Sequence, residues 1–375
     1  MKSIFLFSIF CQFVALSFAQ TFLCPAKSKD LYGYIDTSGK WVIQAKYKEA
    51  GNFNREGLAL VRDKLKKYFL INKTGKIIFK NVYGEEEFKT TKAFYKKCSK
   101  PDKGIGFTNF KGEWKVIASY TKAWDFSEGL AFVNSGGEYL GYGITDGCTG
   151  RTALIDTVGN YVGDAFGFQS FGNFSDGWAT AGGCYNNYTA FISIKAKLMD
   201  SVAGSTNASG KFRKVDNFSE GLAAVQLWPD TNKLDYFWAY VNKKGEMIIP
   251  PRFKDYAGPF KEGIARIGID SLINYSTNER YVRFGYINLK GDTIIPVVWQ
   301  DAHDFSEGMA VVKNGDDWFG YINKKNEVVI QFQFQDASDF KDGRAKVKLK
   351  GKWGIINATG QFIVPASFLD LKDFN

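Results

Sequence analysis

The side chains best suited to chemistry in this chain are carboxylates that recur in one setting. Glu56, Glu128, Asp176, Glu220, Glu262, Glu307 and Asp342 each stand just before a Gly and shortly after a Phe, with one intervening residue in every case but Glu56, which has two. Paired carboxylates can act as general acid and general base. These seven, however, recur with the period of a structural unit, and a residue that does the same job in every unit serves the unit. Turn formation is the reading they support. There is one histidine, His303, which excludes sites built on several imidazoles and disfavours most zinc centres and the Ser-His-Asp constellation, while all-carboxylate or thiolate chemistry survives. His303 occupies a slot that Asn52, Trp124 and Ser338 fill elsewhere, and it reads as an ordinary surface histidine. None of the five cysteines forms a Cys-x-x-Cys pair, which removes the thiolate metal and redox motifs. No acid, base and nucleophile set outside the repeats can be assembled. The chain therefore reads as a non-enzyme, with no cofactor and no metal.

The elements that carry these residues repeat. One block reads Phe-x-Glu/Asp-Gly-x-Ala-x-apolar, at Phe53, Phe126, Phe174, Phe218, Phe260, Phe305 and Phe340. A second reads Gly-Tyr-Ile-Asp/Asn-x-x-Gly, closing at Gly39, Gly75, Gly112, Gly159, Gly245, Gly291, Asn326 and Gly360, with a worn copy through Ile192. An apolar stretch follows each copy, often Ile-Ile-Pro, and then an aromatic residue. The unit is about 35 residues long and occurs nine times. Asp/Asn-x-x-Gly between β-branched stretches predicts a hairpin turn. Its side chain caps the turn amides, and Gly takes the left-handed position of a type I turn with a bulge. Phe-x-Glu-Gly predicts a second turn, and the small Ala predicts close approach of a neighbouring unit. Each unit then supplies about three short strands and needs its neighbour to complete a core.

These blocks resemble the WG-repeat family of short tandem β repeats, known mostly from bacterial proteins, over essentially all of 27–375. The name-giving Lys-Trp-Gly is intact at Lys352-Trp353-Gly354, and elsewhere Tyr or Phe replaces Trp. The Phe88 unit lacks its Glu-Gly and the Ile192 unit its turn glycine, so irregular packing is expected there. The resemblance implies a binding or scaffold role and carries no catalytic residues.

The expected fold is all-β, an open solenoid of tandem β-hairpin repeats. A closed, propeller-like ring is the alternative. The array starts and stops in mid-unit, at Gly33 and Phe374, as a ring with a shared unit would. Against closure, 35 residues is short for a four-stranded blade, and nine units exceeds the usual four to eight.

Residues 1–19 read as a signal peptide: Lys2, an apolar run from Ile4 to Phe18, and small residues at Ser17 and Ala19. The run is too short to span a bilayer. Residues 20–375 then form one repeat array, exported to a periplasmic, cell-surface or secreted location, with no transmembrane segment. The basic excess is local. Residues 20–125 hold 22 Lys/Arg against 11 Asp/Glu, whereas residues 126–211 hold 4 against 7.

Where the units differ is where a ligand could be read. The stretch between the Ala-x-Val strand and the Gly-Tyr-Ile strand spans 7 to 9 positions in the short cases. It spans 20 from Val133 to Ala153, 14 from Val225 to Ala239 and 18 from Ile267 to Gly285. Insertions at one topological point fall on one edge of an array. They carry Tyr139, Tyr142, Trp228, Tyr236 and Tyr275 among hydrogen-bonding side chains, a mixture suited to glycan or protein recognition. Lys64, Lys66, Lys67, Lys96 and Lys97 are expected to add a basic patch, for which a solvated edge that resists strand-to-strand aggregation is the preferred explanation over an acidic or anionic partner. Cys148 and Cys184 fall in the variable stretch of adjacent units, where a disulfide is one outcome and two thiols the other. The expected function is an exported binding or scaffold module for a polysaccharide or protein partner at the cell envelope, with nucleic acid disfavoured. A purely structural envelope protein without a dedicated ligand is the alternative, and an enzyme ranks third.

Overall fold

The computed structural model describes residues 23–53, 57–82, 96–100, 104–108, 114–136, 150–165, 167–183, 189–203, 211–228, 236–274 and 279–372. They form only strands, turns and connections, arranged as nine antiparallel sheets. Residues 1–19, including the signal-peptide reading, lie outside this set. Among the described residues no helix is long and apolar enough to cross a membrane.

Blade 8 shows the unit at its most regular. A two-residue first strand, Asp301–Ala302, leads through Phe305-Ser306-Glu307-Gly308 into Met309–Lys313. The third strand, Phe319–Asn323, turns at Asn323 to Asn326 into the fourth, Val328–Phe334. The unit thus has four strands rather than three. A strand of two residues is what lets 35 residues complete a blade.

Both predicted turns form. In the first, Ser306 and Met309 exchange backbone hydrogen bonds around Glu307 and Gly308 at φ 54° and 79°. Two consecutive left-handed residues make a type I′ turn, whose twist matches the strands it joins. In the second, Asn288 Oδ1 accepts the amides of Lys290 and Asp292, and Gly291 sits at φ 86°. In the worn copy Ser193 replaces Asn, and Ala196 itself takes φ 57°.

The glycine of Gly-Tyr-Ile has a different reason. The fourth strand crosses beside it, and a Cβ on Gly285 would lie 2.7 Å from the Ile295 carbonyl oxygen. The following Tyr is fully buried and packs on the Phe of the next unit. Tyr240 meets Phe260 at 4.9 Å and Tyr321 meets Phe340 at 4.8 Å between centroids. Alanines 59, 179, 223 and 265 are buried, giving neighbouring blades the room predicted for them. The core is therefore a series of inter-blade clusters, such as Tyr240, Phe253, Phe260, Ile267 and Ile287 between blades 6 and 7.

The array closes, which corrects the open solenoid. Blade 1 takes three strands from the N-terminal region, Cys24–Ser28, Leu31–Ile35 and Trp41–Tyr47. Its innermost strand is Asp370–Leu371, with Ala26 opposite Leu371 and Lys27 opposite Asp370. Leu371 is buried with Cys24, Ala26, Ile355 and Val364. The Lys372 ammonium reaches the Ala50 carbonyl of blade 2, and the Cys24 thiol donates to the Lys372 carbonyl. An open row would leave apolar faces bare at both ends, and closure buries them. Blade 3 has three described strands, Lys96–Lys100, Gly104–Thr108 and Trp114–Tyr120. Phe88 lies outside the described residues.

Candidate functional site

The alternation of strands divides the ring into two faces. The Phe-x-Glu-Gly and Asp/Asn-x-x-Gly turns share one, and the variable stretches share the other with the blade-to-blade connections. On the turn face the repeated carboxylates link neighbours. Glu128 accepts from the Gly177 amide, Asp176 from Gly221, Glu220 from Gly263, Glu262 from Gly308 and Glu307 from Gly343, at 2.8–3.0 Å. Serines add a second series. The hydroxyls of Ser175, Ser219 and Ser306 donate to the carbonyls of Phe218, Phe260 and Phe340. The buried tyrosines add a third. Tyr34, Tyr240, Tyr286 and Tyr321 donate to the carbonyls of Gly51, Gly258, His303 and Ser338 at 2.7–2.9 Å. Burial pushes these phenols far above their usual range, so they remain donors. The side chains that define the repeat are thereby engaged in holding blade to blade.

His303 is half-buried rather than an ordinary surface residue. Its Nδ1 lies 2.8 Å from Asp339 Oδ1 of blade 9, and that hydrogen bond raises its pKa against the opposing pull of burial. Beside it, burial pushes the Asp304 carboxyl up, partly offset by Arg266, whose Nε is 3.6 Å from Asp304 Oδ1. Sequence reading missed this cluster, because its partners lie one to two units apart along the chain. The gap beside Asp339 and Ser338 holds about 30 Å³, room for a water but not for a substrate. Among the described residues no group of three or more His, Cys, Asp or Glu could hold a metal ion.

The variable face carries the differences between units. The insertion after Ile267 extends the blade 7 hairpin itself, as Ile264–Asn274 paired with Glu279–Asn288. Seven residues beyond Ile267 project by about 20 Å at strand rise. Trp228 and Tyr236 come together in blade 6, with ring centroids 6.3 Å apart. Arg213 stacks on Tyr236 at 4.0 Å and donates to Gln226. Lys64, Lys66 and Lys67 form an exposed hairpin tip, where Asp63 Oδ1 accepts the Leu65 and Lys67 amides. Lys96 and Lys97 are not brought to that tip. The register pairs them with Thr108 and Phe107, at the turn-face end of their strand. Tyr139, Tyr142, Tyr275, Cys148 and Cys184 lie outside the described residues.

A closed ring of four-stranded antiparallel sheets, sealed by a C-terminal strand, is a nine-bladed β-propeller. The model of the WG containing repeat family matches residues 32–68, 105–139, 238–272, 284–318 and 319–353, and the chain is a WG-repeat protein. No curated protein matches it. Similar solved structures include a eukaryotic initiation factor, at 10% identity and TM-score 0.43, covering 95% of this chain and 98% of that one. AztD from Citrobacter koseri in its apo form matches at 12% and 0.41, covering 93% of each chain. BamB from Moraxella catarrhalis matches at 11% and 0.38, covering 91% and 90%.

Proposed function

We propose that this chain is an exported, non-enzymatic binding or scaffold module, and that its variable face engages a polysaccharide or protein partner at the cell envelope. One observation carries the reading. The repeated polar side chains are tied up between blades, whereas the departures from the repeat gather on one face, including the projecting hairpin of blade 7 and the Trp228–Arg213–Tyr236 stack. A rigid ring that displays irregular elements on one side is suited to recognition, since the frame does not have to be ordered on binding. The apolar N-terminal segment supports export. Glycan-array binding and envelope pull-down with the full chain test the proposal. Capture that is lost when the blade 7 hairpin is shortened to its neighbours' length supports it. Absence of capture in both assays supports the purely structural alternative.

A further inference from the structure

Between blades 3 and 4 the outer wall opens into a cleft of about 330 Å³. Tyr120, at the end of Trp114–Tyr120, lines one wall. Tyr161, at the start of Tyr161–Asp164, lines the other. Val133 and Ile155, both nearly inaccessible to solvent, form the floor. Arg151 and Ser135 close the end toward the variable face.

At two other seams the same two positions are closed. Between blades 9 and 1 they are Phe368 and Trp41, which meet edge to face at 5.9 Å. Between blades 8 and 9 they are Phe334 and Phe362, at 6.4 Å. Tyr120 and Tyr161 instead both line the cleft. Tyr161 is 57% exposed, an aromatic ring held at the surface. Arg151 is the charged group of the lining, and it is already engaged by Asp164. Arg151 Nε lies 3.2 Å from Asp164 Oδ1, and both side chains remain partly exposed.

We propose that this cleft is a binding site for one or two rings of a neutral glycan. The inference rests on the binding-module reading and gives it a place and a ligand class. A sugar ring offers apolar C–H faces to the two tyrosines and a rim of hydroxyls to Arg151 and Ser135. Because Arg151 is already engaged by the Asp164 carboxylate, the cleft favours uncharged hydroxyls over an anion. The volume is at the low end for ligand pockets, matching a mono- or disaccharide unit rather than a folded partner.

Saturation-transfer NMR on the full chain tests this with maltose, cellobiose and N,N′-diacetylchitobiose as neutral probes. Digalacturonate and a decaproline peptide serve as anionic and peptide comparators, each at about 10 mM. Transfer to at least one neutral disaccharide is expected. Tyr161→Ala should weaken that binding about tenfold or more, and Tyr161→Phe should retain it. The melting temperature of Tyr161→Ala should match the parent, because the ring is exposed. Absence of transfer to all three neutral probes overturns the proposal, as does transfer that Tyr161→Ala leaves undiminished. Binding of digalacturonate or decaproline alone, lost on Tyr161→Ala, refutes the glycan and keeps a ligand cleft. Glycan-array or envelope capture shared equally by the parent and Tyr161→Ala would remove this cleft while leaving the binding module in place.

Discussion

Replacing Glu262 separates the two jobs that each repeated carboxylate performs. Glu262 adopts φ 54°, and its carboxylate accepts the Gly308 amide of the next blade at 3.0 Å. The Lys324 ammonium lies 3.1 Å from the same group and donates to the Glu262 carbonyl at 2.8 Å. Hydrogen bonds to a charged group contribute about 1.5–3 kcal/mol when sheltered. The side chain is about one-third exposed, so screening reduces this to roughly 1–2 kcal/mol. The left-handed backbone costs a non-glycine residue about 1–2 kcal/mol, which glycine avoids at an entropic cost of roughly 0.5–1 kcal/mol. Glu262→Ala loses the contacts and keeps the strain, so it should destabilise by about 1–2 kcal/mol. Glu262→Gly should lose several tenths of a kcal/mol less. Urea unfolding followed by tryptophan fluorescence reads both. Lys324→Met should add little in the Glu262→Ala background, since the partner is already gone. An unchanged midpoint for Glu262→Ala, or a larger loss for Glu262→Gly than for Ala, would refute blade-to-blade bracing by these carboxylates.

As the only imidazole in the chain, His303 can be titrated by proton NMR without assignment. Its pKa should lie above the ordinary value of about 6.5 and should fall in Asp339→Asn. Because the folded value is the raised one, this contact contributes fully below the unfolded pKa and fades as pH rises through the folded pKa. Stability should therefore drop slightly above about pH 6.5 in the parent and not in His303→Gln, as urea midpoints across that window would show. Gly291→Val should destabilise by roughly 1–3 kcal/mol, and an unchanged urea midpoint would contradict the turn geometry. Its φ is 86°, and the new Cβ would come 2.9 Å from the Ile249 side chain and closer still to Arg252.

What the sequence made legible was local. Asp36 to Gly39 and Asn288 to Gly291 specify their turns within four residues, so the hairpins and the count of nine units follow from pattern alone. The first strand of the blade was hidden because elements such as Asp301–Ala302 and Asp336–Ala337 are too short to show a period of two. Closure was written only in the phase of the ends. The energetic reason for it, Leu371 entering a core built around Cys24 and Ile355, joins residues more than 340 positions apart. The role of Glu220 was half legible. Its turn could be read, but its hydrogen bond to Gly263 depends on how blades abut. Lys97 was misplaced relative to Lys64 for a similar reason, since its place depends on the pairing of its strand with Phe107. The tyrosine cleft left no mark at all. Tyr120 and Tyr161 occupy positions where some other units also carry aromatics, such as Phe368 and Trp41, and the sequence does not show which of these pairs meet.

Ring closure is tested most directly by urea unfolding of Leu371→Ala beside Leu369→Ala. Leu371 is 2% exposed within the seam, whereas Leu369, two residues earlier, is 49% exposed. In a closed propeller Leu371→Ala costs about 2–5 kcal/mol and lowers the main transition, while Leu369→Ala changes it by less than about 0.5 kcal/mol. Equal and negligible effects of the two substitutions would mean that the C-terminus is the frayed end of an open row.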